Sequence, residues 1–180
     1  MDTMWKINCK NGQEVTLRPA VPEDAQQLLA TINSVAKERS YMLTELSGKS
    51  AVEGHEFISR LDSSKYLLLV AEMGDQIVGA LGVNPTAPGR DQRDSQACDI
   101  GVHLLSGFRE QGVGSKMLEY ALEWAREKCY RRISACIFTS NKRSLNLFRK
   151  FGFLQEAKSK KQFRLGTETI EEVIMAKMLH

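Results

Sequence analysis

The spacing of apolar residues predicts strand and helix segments in turn along the chain. Residues 14–20, EVTLRPA, are typical of a strand that ends at a proline, and residues 22–38 have helical periodicity. Pro22 suits the first turn of that helix, and the acidic residues beside it suit its positive end. The apolar positions of this helix are Leu28, Leu29, Ile32 and Val35. A second helix is predicted over 50–62.

Strands dominate the middle of the chain, and helices then alternate with them. The runs 65–73 and 76–83 flank a Gly-Asp pair, which predicts a hairpin. The polar segment 84–95 predicts a loop. The later elements are strand 96–105, helix 112–128, strand 131–139, helix 141–151 and two final strands, 153–165 and 167–179, around Gly166. This order favours an α/β or α+β fold, a sheet with helices on its faces.

Composition narrows the class of protein. The 180 residues are enough for one core, so a single domain over 1–180 is expected. The formal charge of +3 is too mild to favour nucleic acid or a membrane as the partner. No secretory signal and no membrane-spanning run is visible. Four cysteines without a CxxC spacing argue against a metal site or a disulfide framework, and favour a cytoplasmic location.

A glycine-containing turn precedes the helix at 112–128. The stretch FREQGVGSKML, residues 108–118, follows a predicted strand directly. A helix N-terminus carries amide N–H groups without internal partners and a partial positive charge, so it binds phosphate readily. Gly112 and Gly114 allow an anion close to the backbone, and Arg109 can add a charged contact. The pattern matches neither the Rossmann fingerprint nor the P-loop. A simple strand-to-helix turn is the alternative.

A second motif, NKRSLNLFRKFGF at 141–153, follows the next predicted strand. Together with REQGVG at 109–114, it resembles the GNAT superfamily of acetyl-CoA-dependent N-acetyltransferases. TLRPAVPEDAQQL at 16–28 and the strand pairs at 65–83 and 153–179 also fit, so the resemblance covers essentially the whole chain. It implies a mixed, mostly antiparallel sheet of about seven strands, with helices on both faces and a central parallel pair that separates around the cofactor.

The resemblance implies a binding site for acetyl-CoA. The pyrophosphate would lie on the amides of the turn, the pantetheine arm along the strand before it, and the helix at 141–151 would form the other wall. By motif match, the implied cofactor contacts are Val102, His103, Leu104, Arg109, Glu110, Gln111, Gly112, Val113, Gly114, Ser115, Asn141, Ser144, Phe148 and Arg149. No metal is implied, and the resemblance leaves a homodimer open.

The implied reaction is direct attack of a neutral primary amine on the thioester. The acceptor would be a small amine, an amino acid or a protein N-terminus. Asp99 is the first candidate for the general base, and His103 would share its strand face. Each also has a structural interpretation, as a hydrogen-bonded carboxylate and as a half-exposed strand residue. Phe148 stands where many family members carry a tyrosine acid. Tyr41 and Glu45 are the candidates for contacts with the acceptor.

Two other functions remain possible from the sequence. Because Phe148 removes the usual acid, the chain could be an acyl-CoA-binding regulatory protein with weak catalysis. The basic stretch KSKKQFR at 158–164 and the basic pairs at 131–132, 142–143 and 149–150 could instead meet RNA or a ribosomal protein, or one of these clusters could meet the 3′-phosphate of CoA. Such stretches are most often solvated surfaces, and the absence of interleaved aromatic residues argues against stacking on single strands.

Overall fold

The computed structural model describes residues 4–38, 50–86, 96–158, 163–165 and 168–180, with side chains omitted at 163–165 and 168–170. The strands are β1 (Trp5–Asn8), β2 (Glu14–Pro19), β3 (Leu67–Met73), β4 (Gln76–Pro85), β5 (Ala97–Leu104), β6 (Arg132–Phe138), β7 (Leu154–Lys158), β8 (Phe163–Leu165), β9 (Glu168–Ile170) and β10 (Glu172–Met178). The helices are α1 (Ala25–Lys37), α2 (Ala51–Ser59), α3 (Val113–Glu127) and α4 (Lys142–Lys150), and short 3-10 turns lie at Pro22–Asp24 and Ser106–Phe108.

Eight of the described strands form one sheet in the order β1-β2-β3-β4-β5-β6-β10-β7, and β8 and β9 form a separate hairpin. Every neighbouring pair in the large sheet is antiparallel except β5 and β6, which are parallel. The predicted mixed, mostly antiparallel sheet with a central parallel pair is therefore confirmed. The sequence analysis did not predict β1, and the two predicted final strands are each divided in two.

The helices cover both faces of the sheet. Helix α3 buries one full face, including Met117, Leu118 and Tyr120, in the main core together with Leu145 and Phe148 of α4. Burial of each large apolar side chain contributes about 2 kcal/mol to folding, so this face fixes α3 firmly. On the opposite face, Leu28 of α1 packs with Val70, Ile77 and Ala80 of the sheet.

Local signals position the ends of these helices. Helix α4 begins where the Asn141 side chain accepts a hydrogen bond from Ser144 N at 3.1 Å, and it ends before Gly152, whose φ is +80°. Asparagine is a favoured N-cap residue, and glycine is favoured just after a helix end. Helix α2 begins at a reciprocal cap between Ser50 and Glu53. It crosses α1 closely, because a Cβ built on Gly54 would lie 3.2 Å from Ala25 Cβ.

A charged cluster fixes the entry to α1. Arg18 on β2 donates to both oxygens of Asp24, at 2.7 and 2.9 Å, and to both oxygens of Glu72 on β3, at 3.0 and 2.9 Å. Burial alone would raise the pKa of Asp24, but the hydrogen bonds from Arg18 and from Val21 N hold it below its usual value. The cluster joins two strands to the first turn before α1, and so sets the direction of that helix across the sheet.

Candidate active site

The parallel strands β5 and β6 separate at the centre of the sheet. Their pairing covers only Ala97–Arg132, Cys98–Ile133 and Asp99–Ser134, although β5 continues to Leu104 and β6 to Phe138. Beyond Asp99 the two strands therefore enclose a widening gap. Such a gap exposes an unpaired strand edge, which an extended molecule can use as it would use a neighbouring strand.

Hydrogen bonds to β4 decide which backbone groups of β5 face this gap. Leu105 N donates to Val78 O at 2.9 Å, and Thr86 N donates to Ala97 O at 3.0 Å. The odd-numbered residues of β5 therefore direct their N–H and C=O groups towards β4, and the even-numbered ones direct theirs into the gap. The backbone groups of Val102 and Leu104 face the gap, where the predicted contacts would form, although Leu104 O already accepts from Arg109 Nε at 2.9 Å. Those of His103 do not face the gap, because they pair with Ala80 of β4.

The glycine turn lies at the wide end of the gap, where α3 begins. Gly112 is the N-cap with φ +92°, a conformation that favours glycine, and Lys116 N donates to Gly112 O as the first helical bond. The amides of Val113, Gly114 and Ser115 consequently have no carbonyl partner within the helix. The turn is braced from outside, since Lys10 N donates to Gln111 O at 3.1 Å. These features fit a diphosphate.

The Arg109 side chain is held by two partners, the carbonyl of Leu104 and the carboxylate of Glu38. Its Nε donates to Leu104 O at 2.9 Å, and its two terminal nitrogens donate to the Glu38 carboxylate at 2.7 and 2.6 Å. Arg109 also lines the cavity, and its expected charged contact with a phosphate stays a prediction. Its side chain fixes the end of β5 to the end of α1, and a sequence cannot reveal a partner that lies 71 positions away.

Known proteins with similar sequences and folds agree with this arrangement of a strand gap beside a glycine turn. The model of the Acetyltransferase (GNAT) family matches residues 27–153. This chain belongs to the GNAT acetyltransferase family. It is accordingly an acyltransferase whose cosubstrate is acetyl-CoA. Among similar proteins is YwnH of Bacillus subtilis, provisionally named a phosphinothricin acetyltransferase, which is 28% identical over 141 residues, 78% of this chain and 85% of YwnH.

Solved structures of GNAT enzymes have the same fold. An acetyltransferase of the GNAT family from Streptococcus pneumoniae superposes with a TM-score of 0.82 at 24% identity, covering 92% of this chain and 99% of that one. A ribosomal-protein-alanine N-acetyltransferase from Brucella melitensis superposes with a TM-score of 0.80 at 25% identity, covering 91% of this chain and 99% of that one.

In this GNAT enzyme, Asp99 lies where the gap closes. It is the last residue of β5 that pairs with β6, and Ser134 Oγ donates to Asp99 Oδ1 at 2.6 Å. Its neighbours Ile100 and Asn84 line the cavity that fills the gap. Five residues of strand separate Asp99 from Leu104, or about 17 Å, so the carboxylate and the phosphate-binding turn stand at opposite ends of the gap.

His103 lies on the same strand face as Asp99 but about 13 Å further along, beside the turn. Its Nε2 is 3.1 Å from Thr31 Oγ1, and that hydroxyl donates its one proton to Leu28 O. Burial, and then the positive charge of Arg109, lower the pKa of His103 to about 4. The imidazole is neutral near pH 7, and it is too distant to act on the same atom as Asp99.

Helix α4 forms the wall opposite β5. Asn141, Ser144 and Phe148 line the cavity, as expected, and Phe148 is fully buried with its ring packed edge-on against Phe153. Arg149 is exposed and is not among the lining residues, and its Nη1 is 3.4 Å from Oδ1 of the cavity residue Asn146, so its cofactor contact stays a prediction. On α4 the predicted site residues did not include four that line the cavity, and their helical spacing was a usable signal: Arg143, Asn146, Leu147 and Lys150.

The cavity has a volume of about 920 Å³ and extends from the turn to the space between α1 and α2. The part of the cavity between α1 and α2 is mainly apolar. It is lined by Leu28, Leu29, Ile32, Phe57, Ile58, Leu68 and Ala80. Phe57 is 58% exposed and stands at the rim. The predicted acceptor contacts Tyr41 and Glu45 lie outside the described residues.

Within the described ranges, no group of three or more His, Cys, Asp or Glu side chains could hold a metal ion. None of the helices in the described part of the chain is both long and apolar enough to cross a membrane.

Proposed function

We propose that this enzyme transfers the acetyl group of acetyl-CoA to a primary amine by direct attack, at the closed end of the β5–β6 gap. The gap supports this proposal because it joins an anion-binding turn to a carboxylate over about 17 Å. That span suits an extended arm with phosphate at one end and a reacting group at the other. The N–H and C=O groups of Val102 would align the arm along β5.

Acetyl-CoA supplies a thioester carbonyl that a neutral amine can attack. The amides at the start of α3 hold the diphosphate, and N–H groups of β5 that face the gap polarise the carbonyl. Asp99 accepts the proton of the incoming ammonium through a water, because its own carboxylate lies just beyond the cavity wall. The hydrogen bond from Ser134 orients that carboxylate.

The leaving thiolate receives its proton without a tyrosine. Phe148 has no hydroxyl, and its ring is 1% exposed within the core. A thiol has a pKa of about 8.5, so a CoA thiolate departs readily and water is a sufficient acid. This departure from the family pattern also supports the alternative of an acyl-CoA-binding regulator, and measurable turnover separates the two.

The far wall of the cavity favours an acceptor with an apolar body. Between α1 and α2, Glu53 is the one charged residue among the described lining residues. A small amine or an amino acid with an apolar side chain would contact Ile32, Phe57 and Ile58. A protein N-terminus could enter past Phe57 at the rim.

The cysteines are all free, which supports a cytoplasmic location.

The RNA-binding alternative has less support. In the basic stretch, the described side chain of Lys158 pairs with Glu171 at 2.7 Å. Glu156, also on β7, pairs with Arg132 of β6. These acids offset part of the positive charge on this edge of the sheet.

The first test is calorimetric titration with acetyl-CoA, followed by an assay of CoA release. The assay compares 3-methylbutylamine and leucinamide with glutamate and with a peptide that begins with alanine. We expect binding in the micromolar range and turnover with the apolar amines first. Binding without turnover on any amine would support the regulator, and a folded protein that does not bind would refute the proposal.

A further inference from the structure

Two glycines, Gly82 on β4 and Gly101 on β5, are partners across the sheet, and both line the cavity. They lie on the sheet face that α1 covers, because His103, two residues after Gly101, contacts Thr31 of α1 from that face. Leu68 of β3 pairs with Gly82 on its other side and also lines the cavity. The two glycines, called the glycine floor below, therefore form a strip of bare backbone between Leu68 and the β5–β6 gap.

The backbone geometry requires glycine at neither position of the glycine floor. Neither Gly82 nor Gly101 has a positive φ. A Cβ built on Gly101 meets none of the described atoms within 4 Å. A Cβ built on Gly82 makes only ordinary contacts, at 3.8 Å from Asn84 Nδ2 and 4.0 Å from Leu67 O. Alanine would therefore fit the folded chain at both positions.

Gly79, on the same strand β4, shows the opposite case of a glycine that packing requires. A Cβ built there would lie 2.4 Å from Leu104 Cδ2 and 2.5 Å from His103 O, so β4 could not lie this close to the end of β5. Among the described residues, the glycine floor has no neighbour as close. A glycine inside a strand weakens that strand, and it often marks a place where a ligand approaches the backbone. The glycine floor thus indicates a ligand that lies against the sheet.

Side chains on the same face bound the glycine floor at both ends. Asn84 and Asp99 pair at one end, and Ala80 and His103 pair at the other. The two pairs are four residues apart, or about 13 Å, so the bare interval between them has room for one six-membered ring. Apolar side chains of α1 and α2 line the same part of the cavity: Leu28, Leu29, Ile32, Phe57 and Ile58.

A flat ring is the molecular body that such a surface favours. Peptide planes without side chains form a flat wall, and a planar ring makes dispersion contacts with it over its whole face. A branched or puckered body touches the same wall at fewer atoms. We propose that Gly82 and Gly101 form the floor of the acceptor subsite and select primary amines that carry a flat ring one or two carbons from the nitrogen.

The position of the glycine floor suits the reaction. Gly101 lies at the edge of the gap, and the candidate base Asp99 is two residues, or about 7 Å, further along β5. A ring on the glycine floor therefore places an amine one or two carbons away beside the thioester. The inference rests on the proposed function and names the class of acceptor for it.

The first part of the test compares acceptors with the wild-type enzyme. Assays of CoA release give kcat/KM for 2-phenylethylamine, 2-cyclohexylethylamine and ethylamine, with each concentration expressed as the neutral amine. We expect 2-phenylethylamine to exceed its puckered counterpart, 2-cyclohexylethylamine, by about 3-fold to 10-fold, as contacts of an aromatic face allow.

The second part uses Gly82→Ala, Gly101→Ala and the double variant. Each methyl group lifts a ring from the backbone, so kcat/KM for 2-phenylethylamine should fall about 10-fold in Gly101→Ala and further in the double variant. For ethylamine, which is too short to need the glycine floor, kcat/KM should change less than about twofold. The Kd for acetyl-CoA should stay unchanged, and Tm should be no lower than in the wild type, because alanine suits a strand better than glycine.

Gly107→Ala is the matched control. A Cβ on Gly107 also meets none of the described atoms within 4 Å, its φ is not positive, and it does not line the cavity. This variant should keep the wild-type kcat/KM for all three amines. It shows whether an added methyl group acts only when it projects from the glycine floor.

Three results would overturn the inference while acetyl transfer stands. They are equal kcat/KM for the flat and the puckered amine in the wild type, equal losses for ethylamine and 2-phenylethylamine in Gly101→Ala, and a lowered Tm in Gly101→Ala, which would mean that packing requires the glycine. Turnover with no amine at all, despite a folded wild-type protein, would instead remove the proposed function, and this inference with it.

Discussion

Arg109 and Glu38 form a bidentate ion pair between the glycine turn and the end of α1. The guanidinium nitrogens lie 2.7 and 2.6 Å from the two carboxylate oxygens, while Arg109 Nε holds Leu104 O at 2.9 Å. The hydrogen bond from Arg109 holds the pKa of Glu38 below its usual value. The conspicuous arginine of the turn therefore positions three elements, β5, α1 and the turn itself.

Arg109→Gln should lower thermal stability more than it lowers affinity for acetyl-CoA. The variant loses a contact that is 14% exposed on the arginine side, and a loss of about 1–2 kcal/mol would shift Tm by about 3–6 °C. The Kd for acetyl-CoA should rise less than about tenfold. Calorimetry and thermal melts measure the two quantities. A large loss of affinity with an unchanged Tm would show instead that the side chain binds phosphate.

Gly112→Asp should abolish acetyl-CoA binding, whereas Gly112→Asn should retain most of it. Both side chains tolerate the left-handed backbone that Gly112 adopts at φ +92°, and a Cβ at this position meets no atom within 4 Å. The variants therefore differ mainly by a negative charge beside the α3 amides. Titration of both with acetyl-CoA measures the difference. Equal affinities would contradict a diphosphate at this turn.

Asp99→Asn should reduce kcat by about 10²-fold to 10⁴-fold and leave the Kd for acetyl-CoA nearly unchanged. The amide keeps the shape of the side chain and can still accept a hydrogen bond from Ser134, but it cannot take a proton. Steady-state kinetics with an accepted amine, together with calorimetry, separate the two effects. Ser134→Ala serves as a milder comparison, since it removes only the 2.6 Å hydrogen bond. An unchanged kcat in Asp99→Asn would mean that Asp99 is only structural.

His103 should titrate near pH 4, and it should make the folded state less stable in acid. Since the pKa of His103 falls to about 4 on folding from about 6.5, the unfolded chain binds the extra proton between these values. The free energy of unfolding should therefore fall as the pH drops from about 6.5 to about 4. Urea unfolding across this range should show a shallower slope for His103→Gln. An NMR titration midpoint near 6.5 would contradict the buried, neutral imidazole.

The sequence predicted the element types well because long periodic segments carry a strong signal. Helix α3 was predicted at 112–128 and lies at Val113–Glu127, since its apolar stripe is buried as the periodicity requires. The four residues of β1 are too few for such a signal. Contacts between residues distant in sequence were not predictable. One is the ion pair between Arg109 and Glu38, and the other is the pairing of β5 with β4, which directs the backbone groups of His103 away from the gap. The homodimer and the roles of Tyr41 and Glu45 stay predictions.

The separation of β5 from β6 also has a consequence for folding energetics. A sheet interrupted at its centre leaves the backbone groups of Val102, which face the gap, to pair with whatever lies between the strands. Any molecule that pairs there binds the folded chain and not the unfolded one, so it raises the free energy of unfolding by RT ln(1 + [L]/Kd). At about 100 times Kd, this amounts to about 2.7 kcal/mol. The thermal stability of the enzyme should thus follow the supply of its own acetyl donor, and the melting temperature would report on that supply.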